Sequence, residues 1–358
     1  MLSKRVREMI SSGDAYPLAS SYKVDREMVK MCSNENPFGA SPKAVEAVKS
    51  EAENINKYPK STSGDLKEAI ADSLGVNPLQ ICVGNGSDEL MDLSCKAFLD
   101  PGDTVLIPVP TFSQYALAAK ANAMKTKSVQ MKDFRLNANE LVEAMSDCEM
   151  IFLARPNNPT GRSLGEEGLR KLLDTGKMIV VDEAYGDFSG DSVVDFISDY
   201  GNLLVLKTFS KAYGLAGLRV GYGVAGKDLV EGLERVRPPF SVNRIAQKAA
   251  LAALKDEEFL EKTLNTVREG RKYLTNRLEE LGFKVIPSEA NFLMVSPAPL
   301  GSDANELCKY LEDRGIMIRN LSGFEGVGAR WVRITVGKES ENKRLIEVLT
   351  KRYGGEEK

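Results

Sequence analysis

The sequence predicts an α/β protein, with a mostly parallel central sheet in a large domain and a smaller α+β domain after it. Three observations predict this. Short runs that are apolar on both faces recur between helical segments through the first two thirds of the chain. One long amphipathic helix then opens a stretch where short strands and a helix alternate differently. A length of 358 residues exceeds one average domain and can leave a cleft between two lobes.

The elements follow in order. After an irregular opening, Ser41-Pro42 caps and starts a helix whose Val45, Val48, Ala52 and Ile55 keep one face apolar. A second helix runs from about Asp65 to Leu74 and stops at Gly75. Buried strands are predicted at Ile81 to Val83, Thr104 to Ile107, Met150 to Leu153, Met178 to Val181 and Leu203 to Leu206, with another at Val220 to Gly223. Beyond Asp256 a long helix carries Leu264, Val267, Leu274 and Leu278. Short strands follow near Phe283 to Ile286, Phe292 to Val295, Met317 to Ile318 and Val332 to Val336. The expected division is a segment 1–40 packing on the small domain and a dimer partner, a large domain 41–255 and a small domain 256–358.

Composition excludes several classes. With 48 basic and 51 acidic residues the net charge is -3, which predicts no nucleic-acid or anionic-membrane footprint. No stretch approaches the roughly 18 apolar residues of a membrane span, and the first fourteen residues do not read as a secretory signal. The five cysteines are scattered, without paired spacing, which predicts a reduced, cytoplasmic protein and no metal site built on thiols. Histidine is absent, so catalysis must use Lys, Tyr, Cys, a carboxylate or a cofactor.

In parallel sheets ligands bind beyond the carboxyl ends of the strands, so a site is expected at those positions. Asp182-Glu183-Ala184-Tyr185 follows one strand; a carboxylate there either pairs with something, such as a pyridine nitrogen, or caps a turn. Lys207-Thr208-Phe209-Ser210-Lys211 follows another and leads to Arg219. A lysine among small and apolar residues can be desolvated and nucleophilic. The hydroxyls at 208 and 210 with Arg219 can surround a phosphate, or the run is a solvated glycine-rich loop. Gly84-Asn85-Gly86-Ser87-Asp88-Glu89 opens a helix whose amides attract phosphate, although Asp88 and Glu89 repel one unless a cation such as Arg219 is near. Arg155-Pro156-Asn157-Asn158-Pro159-Thr160-Gly161 is a turn, with ligand contact left open.

Taken in order, Gly84 to Glu89, Asn158-Pro159-Thr160-Gly161, Asp182 to Tyr185, and Ser210-Lys211 with Arg219 eight positions on resemble the fold-type-I pyridoxal-phosphate aminotransferases over essentially the whole chain. Within them, Ser33 to Gly39 (SNENPFG), Lys57-Tyr58-Pro59, Thr208 to Gly221 (TFSKAYGLAGLRVG) and Arg237 to Asn243 resemble the histidinol-phosphate aminotransferase family. The resemblance implies pyridoxal 5'-phosphate, held as a Schiff base on Lys211, which also moves the proton at the substrate's Cα. It implies Asp182 on the pyridinium nitrogen, Asn158 and Tyr185 on the phenolic oxygen, and Phe112 stacked on the ring, with Tyr115 as the second choice. Ser87, the Asp88 amide, Thr208, Ser210 and Arg219 would hold the cofactor phosphate. Tyr58 would reach that phosphate from a second subunit, which implies a homodimer with shared active sites.

For the substrate, the resemblance implies Arg333, in Trp331-Val332-Arg333, at the position that takes an α-carboxylate in ordinary aminotransferases. Arg319 offers a second cation suited to a phosphate dianion, or pairs with a surface carboxylate. Asn36 and Tyr16 complete the expected substrate contacts. The implied reaction is amino transfer between L-histidinol phosphate and 2-oxoglutarate, glutamate returning the amino group in a ping-pong cycle within histidine biosynthesis. A broad aromatic amino-acid aminotransferase is the main alternative, and a threonine-phosphate decarboxylase the weaker one. A regulator built on the same fold would carry a DNA-binding domain before Ser33, for which no room is expected. A Rossmann dehydrogenase is not expected, since Gly84-Asn85-Gly86 lacks the third glycine and the acidic residue due after the next strand.

Overall fold

The computed structural model describes residues 1–14 and 28–354. Its first part runs α1 (Lys4–Ser11), β1 (Val29–Met31), α2 (Pro42–Glu51), α3 (Gly64–Leu74), β2 (Ile81–Gly84), α4 (Ser87–Phe98), β3 (Thr104–Val109), α5 (Gln114–Ala121) and β4 (Lys125–Gln130). It continues with α6 (Ala138–Ala144), β5 (Met150–Ala154), α7 (Glu166–Leu173), β6 (Met178–Asp182), α8 (Gly186–Ser189), β7 (Leu203–Thr208), β8 (Gly221–Ala225), α9 (Lys227–Val236) and α10 (Arg244–Leu254). The last part comprises α11 (Glu257–Glu280), β9 (Lys284–Ile286), β10 (Phe292–Ser296), α12 (Ala304–Glu312), β11 (Ile316–Asn320), β12 (Val332–Thr335) and α13 (Glu339–Tyr353).

The expected central sheet is present, in the order β2-β8-β7-β6-β5-β3-β4. The pairs from β7 through β6, β5 and β3 to β4 are parallel, and β8 is antiparallel to both β2 and β7. Side chains alternate between its faces. In β5, Ile151 and Leu153 join one apolar cluster and Phe152 joins the other. Continuous apolar runs are therefore what a sheet covered on both sides requires.

The helix signals work locally. Ser41 Oγ accepts from the Ala44 amide, Pro42 occupies the first turn of α2, and Gly75 ends α3 in a left-handed conformation. Two strands escape the sequence reading. The edge strand β4 reads Lys-Thr-Lys-Ser-Val-Gln and is half exposed, so it lacks the apolar run that marks its neighbours. The opening, expected to be irregular, supplies β1, which pairs parallel with β11 from Val29↔Ile316 to Met31↔Ile318.

That pairing makes β1 the edge of a second sheet, ordered β1-β11-β12-β10-β9 and otherwise antiparallel. A third apolar cluster, including Met31, Val267, Leu274, Ile318, Ile334 and Leu345, packs α11 and α13 against it. Among the described residues, no helix is long and apolar enough to cross a membrane.

Candidate active site

A cavity of about 420 Å³ lies at the carboxyl ends of β5, β6 and β7, beside the first turn of α4, and is bounded by Arg319 of β11 and Arg333 of β12. Its floor is built around Asp182, the last residue of β6. The Tyr115 hydroxyl donates to Asp182 Oδ2 at 2.7 Å and the Ala184 amide to Oδ1 at 3.0 Å. Burial nevertheless pushes the carboxyl up to about 6, against the pull of those two bonds. A buried carboxylate in this state favours a cation brought to it.

Lys211 follows β7 and donates from Nζ to the Ser33 carbonyl at 3.2 Å, with Nζ 5.7 Å from the centre of the Tyr185 ring. Burial lowers its ammonium to about 8, and the Arg333 charge acts in the same direction. The buried Tyr185 hydroxyl accepts from Asn34 Nδ2 at 2.9 Å. Burial raises its phenol, the Arg333 charge opposing. Phe112 lines the cavity and meets Tyr115 edge-on, ring centres 5.7 Å apart.

A cup forms where the start of α4 meets the turn after β7. Thr208 Oγ1 lies 3.0 Å from Ser210 Oγ, and Arg219 donates to that oxygen at 3.4 Å and to Asp88 Oδ2 at 3.0 Å. Asp88 is thus matched by Arg219, which removes the objection to an anion beside α4. Close approach depends on Gly86, at φ +80°, where an added Cβ would come within 2.8 Å of Arg219 Nη2. Arg219 itself sits at φ +51°.

Across the cavity, Arg319 and Arg333 are direct partners on the antiparallel strands β11 and β12, so they share one face. Arg333 is buried, donating to Asn158 Oδ1 at 2.5 Å and to the Cys32 carbonyl at 2.9 Å. The Arg319 guanidinium lies 5.7 Å from the Phe324 ring centre.

The structure gathers Ser87, Asp88, Phe112, Asn158, Asp182, Tyr185, Thr208, Ser210, Lys211, Arg219, Arg319 and Arg333 around this one cavity. Asn36, expected among the substrate contacts, does not line it. Asn36 Nδ2 donates to Ala212 O at 2.9 Å and Thr263 Oγ1 at 3.2 Å, and its oxygen accepts from the Phe38 amide. Tyr58 is exposed, stacked on Phe240 at 4.7 Å in a separate surface hollow with Ile55 and Pro59. Tyr16 lies outside the described residues. Sequence reasoning missed two residues: Asn34, two positions before Asn36 in the same run, and Tyr115 as the partner of Asp182. The left-handed φ of +55° turns Asn34 inward, and an asparagine-rich run is a signal for such a position without saying which asparagine takes it.

The family model for aminotransferase class I and II matches residues 26–349. A histidinol-phosphate aminotransferase from Methanosarcina barkeri is 40% identical over 350 residues, covering 96% of this chain and 94% of that protein. The chain belongs to the histidinol-phosphate aminotransferase family. Solved structures agree with this aminotransferase fold. The Clostridium acetobutylicum histidinol-phosphate aminotransferase superposes with a TM-score of 0.85 at 25% identity, covering 91% of this chain and 99% of that one. The Sinorhizobium meliloti histidinol-phosphate aminotransferase, solved in complex with pyridoxal-5'-phosphate, gives 0.84 at 25% identity and 98% coverage of both. The cofactor of this aminotransferase is pyridoxal 5'-phosphate, and the cavity fits it. A buried carboxylate raised to about 6 suits a protonated ring nitrogen. A cup of hydroxyls and Arg219, into which an added Cβ at Gly86 would intrude, suits a phosphate.

Proposed function

We propose that this aminotransferase transfers an amino group between L-histidinol phosphate and 2-oxoglutarate, as a step of histidine biosynthesis. The observation that carries the substrate is the facing pair Arg319 and Arg333. Two guanidinium groups on one face of the sheet offer the planar forks that suit a phosphate dianion.

Lys211 is the amine that would hold the cofactor and carry the proton to and from the substrate's Cα; its lowered proton affinity supports both tasks. When bound, pyridoxal phosphate supplies the electron sink for the charge left on that carbon. Asp182 keeps the ring nitrogen protonated, and Tyr115 and Ala184 hold its carboxylate in place. Asn158 and Tyr185 would contact the phenolic oxygen, and Phe112 would cover one face of the ring. Ser87, the Asp88 amide, Thr208, Ser210 and Arg219 would hold the phosphate. Tyr58, exposed on the outer surface, completes that cup in a second copy of the chain, which makes the working unit a homodimer in the cytoplasm. Residues 41–255 form the cofactor domain and 256–358 the small domain, with 1–40 joining the small sheet and the partner.

A half-reaction tests the reading. Holoenzyme is mixed in turn with histidinol phosphate, phenylalanine and threonine phosphate, without keto acid, while the visible cofactor band is followed. Rapid loss of the band with histidinol phosphate alone is expected. Equal loss with phenylalanine would make the enzyme a broad aromatic aminotransferase, and a response to threonine phosphate with carbon dioxide release would make it a decarboxylase.

A further inference from the structure

Behind the floor of the cavity lies a cluster of charges to which the reaction gives no task. Successive residues at a strand end face opposite sides of the sheet. Ala154, Asp182 and Thr208 line the cavity. Their neighbours Arg155, Glu183 and Lys207 point away from it and meet one another. Lys207 Nζ lies 3.2 Å from Glu183 Oε2, and Arg155 Nη1 lies 3.8 Å from Glu183 Oε1. The side chain of Glu183 is 0% exposed, that of Arg155 3% and that of Lys207 8%.

The cluster reaches the segment after β6 as well. Glu183 accepts from Ser192 Oγ at 2.6 Å and from the Val193 amide at 2.8 Å. Lys207 also lies 3.8 Å from Asp187, and Arg155 pairs with Asp191. Tyr185 therefore sits between two anchored carboxylates, Glu183 and Asp187. Burying such charges costs desolvation, and well-packed apolar residues often serve stability equally well or better. A single stability role leaves the arrangement unexplained. Its placement under three adjacent strand ends supplies the missing reason.

We propose that Glu183, with Lys207 and Arg155, is a positioning residue that fixes the spacing between the two ends of the cofactor site. Those ends are Asp182 on β6, and the run from Thr208 to Lys211 that closes and follows β7. The inference rests on the reading of these residues as cofactor contacts.

The test compares Glu183→Gln with the double variant Glu183→Gln/Lys207→Met. The double removes one negative and one positive charge together, so the field at Asp182 is left nearly balanced and geometry is what changes. Each holoenzyme is dialysed to measure its pyridoxal phosphate dissociation constant, its cofactor absorption is titrated against pH, and its melting temperature is recorded. The single variant is expected to lose melting temperature and to bind pyridoxal phosphate about tenfold more weakly. In the double variant the melting temperature recovers in part, because Lys207 is no longer left without Glu183 and Arg155 keeps Asp191, only Asp187 losing a cation, while the weak cofactor binding and a displaced absorption midpoint persist in full. A folded double variant with wild-type affinity and absorption overturns the proposal. So does one whose melting temperature and affinity stay depressed together, or one that does not fold, since either outcome makes the cluster merely structural. Asp182→Asn and Arg219→Ala are the controls for the underlying reading. If these leave cofactor affinity unchanged, the assignment of the site itself fails; if they weaken it and the Glu183 variants do not, only the positioning role fails.

Discussion

At the strand ends of the large sheet, Asp88 meets Arg219 at 3.0 Å and Asp182 takes hydrogen bonds from Tyr115 and Ala184. On the small sheet, Arg319 and Arg333 stand opposite each other with the same charge. The floor thus sets a carboxylate against a cation or against donors, while the wall places two arginines side by side on one face. A balanced floor suits a resident cofactor whose place does not change through the cycle. A wall of two cations suits the part of the site that must distinguish a dianionic end group from a carboxylate. On the proposed reading cofactor binding and donor choice belong to different sheets, and substitutions in each should fail differently.

Lys211→Ala bears most heavily on the floor. Turnover is expected to fall about a thousandfold or more, and borohydride followed by mass spectrometry should find no cofactor on the protein; an adduct persisting in that variant would remove Lys211 from its role. Asp182→Asn should lower kcat by about a hundredfold or more, since it removes preorganised charge, with histidinol phosphate and glutamate half-reactions affected alike. A loss confined to one donor would erase the division between floor and wall.

The wall should respond selectively. Arg319→Ala is expected to raise the KM for histidinol phosphate about ten- to a hundredfold, the range for one lost charge-assisted contact, with a smaller change for glutamate, and Arg319→Lys should recover only part. Steady-state kinetics with both donors decides; equal changes would mean that Arg319 supports the cavity without reading the phosphate.

The lowered proton affinity of Lys211 gives a pH dependence. Its value of about 8 lies below the ordinary 10.5, so the amine becomes neutral as pH rises through 8. Cofactor uptake by apoprotein should accelerate about tenfold from pH 6 to 7 and level off above 8, the neutral amine being the nucleophile. Between 8 and 10.5 the unfolded chain holds a proton that the folded one lacks, so this group adds stability as pH rises there, and its burial penalty is complete below 8. A flat uptake profile would be incompatible with attachment at Lys211. The smallest effect belongs to Phe112→Ala, expected to weaken cofactor binding about three- to tenfold, the scale of an aromatic contact, as read by equilibrium dialysis.

The floor was far more legible in the sequence than the wall or its supports. Asp182, Thr208, Ser210 and Lys211 sit at or just after apolar runs, so one local rule about parallel strands points to each. Arg319 and Arg333 carry no comparable local mark and were reached through family resemblance. The ion cluster behind the floor is not legible in the sequence, where Glu183 and Lys207 are ordinary neighbours of motif residues; only the pleat shows that they face the other way. The strand β1 is three residues long and pairs with β11 near the far end of the chain, so no window of sequence contains both partners. For Tyr115 the resemblance implies only a second choice for stacking, whereas its hydroxyl holds Asp182.

The stretch after β1 ties these regions together, with the Cys32 carbonyl on Arg333 and the Ser33 carbonyl on Lys211. Arg333 also depresses the proton affinity of Lys211 through its charge. An anion seated on Arg333 relieves that depression, so the amine holds its proton more tightly while the anion stays. Linkage makes the relation reciprocal: protonating Lys211 must strengthen anion binding by the same factor. On the proposed reading the arrival of the substrate's charged end would reach the amine as a change in basicity, and inorganic phosphate alone should move the titration midpoint of Lys211 upward in the apoprotein.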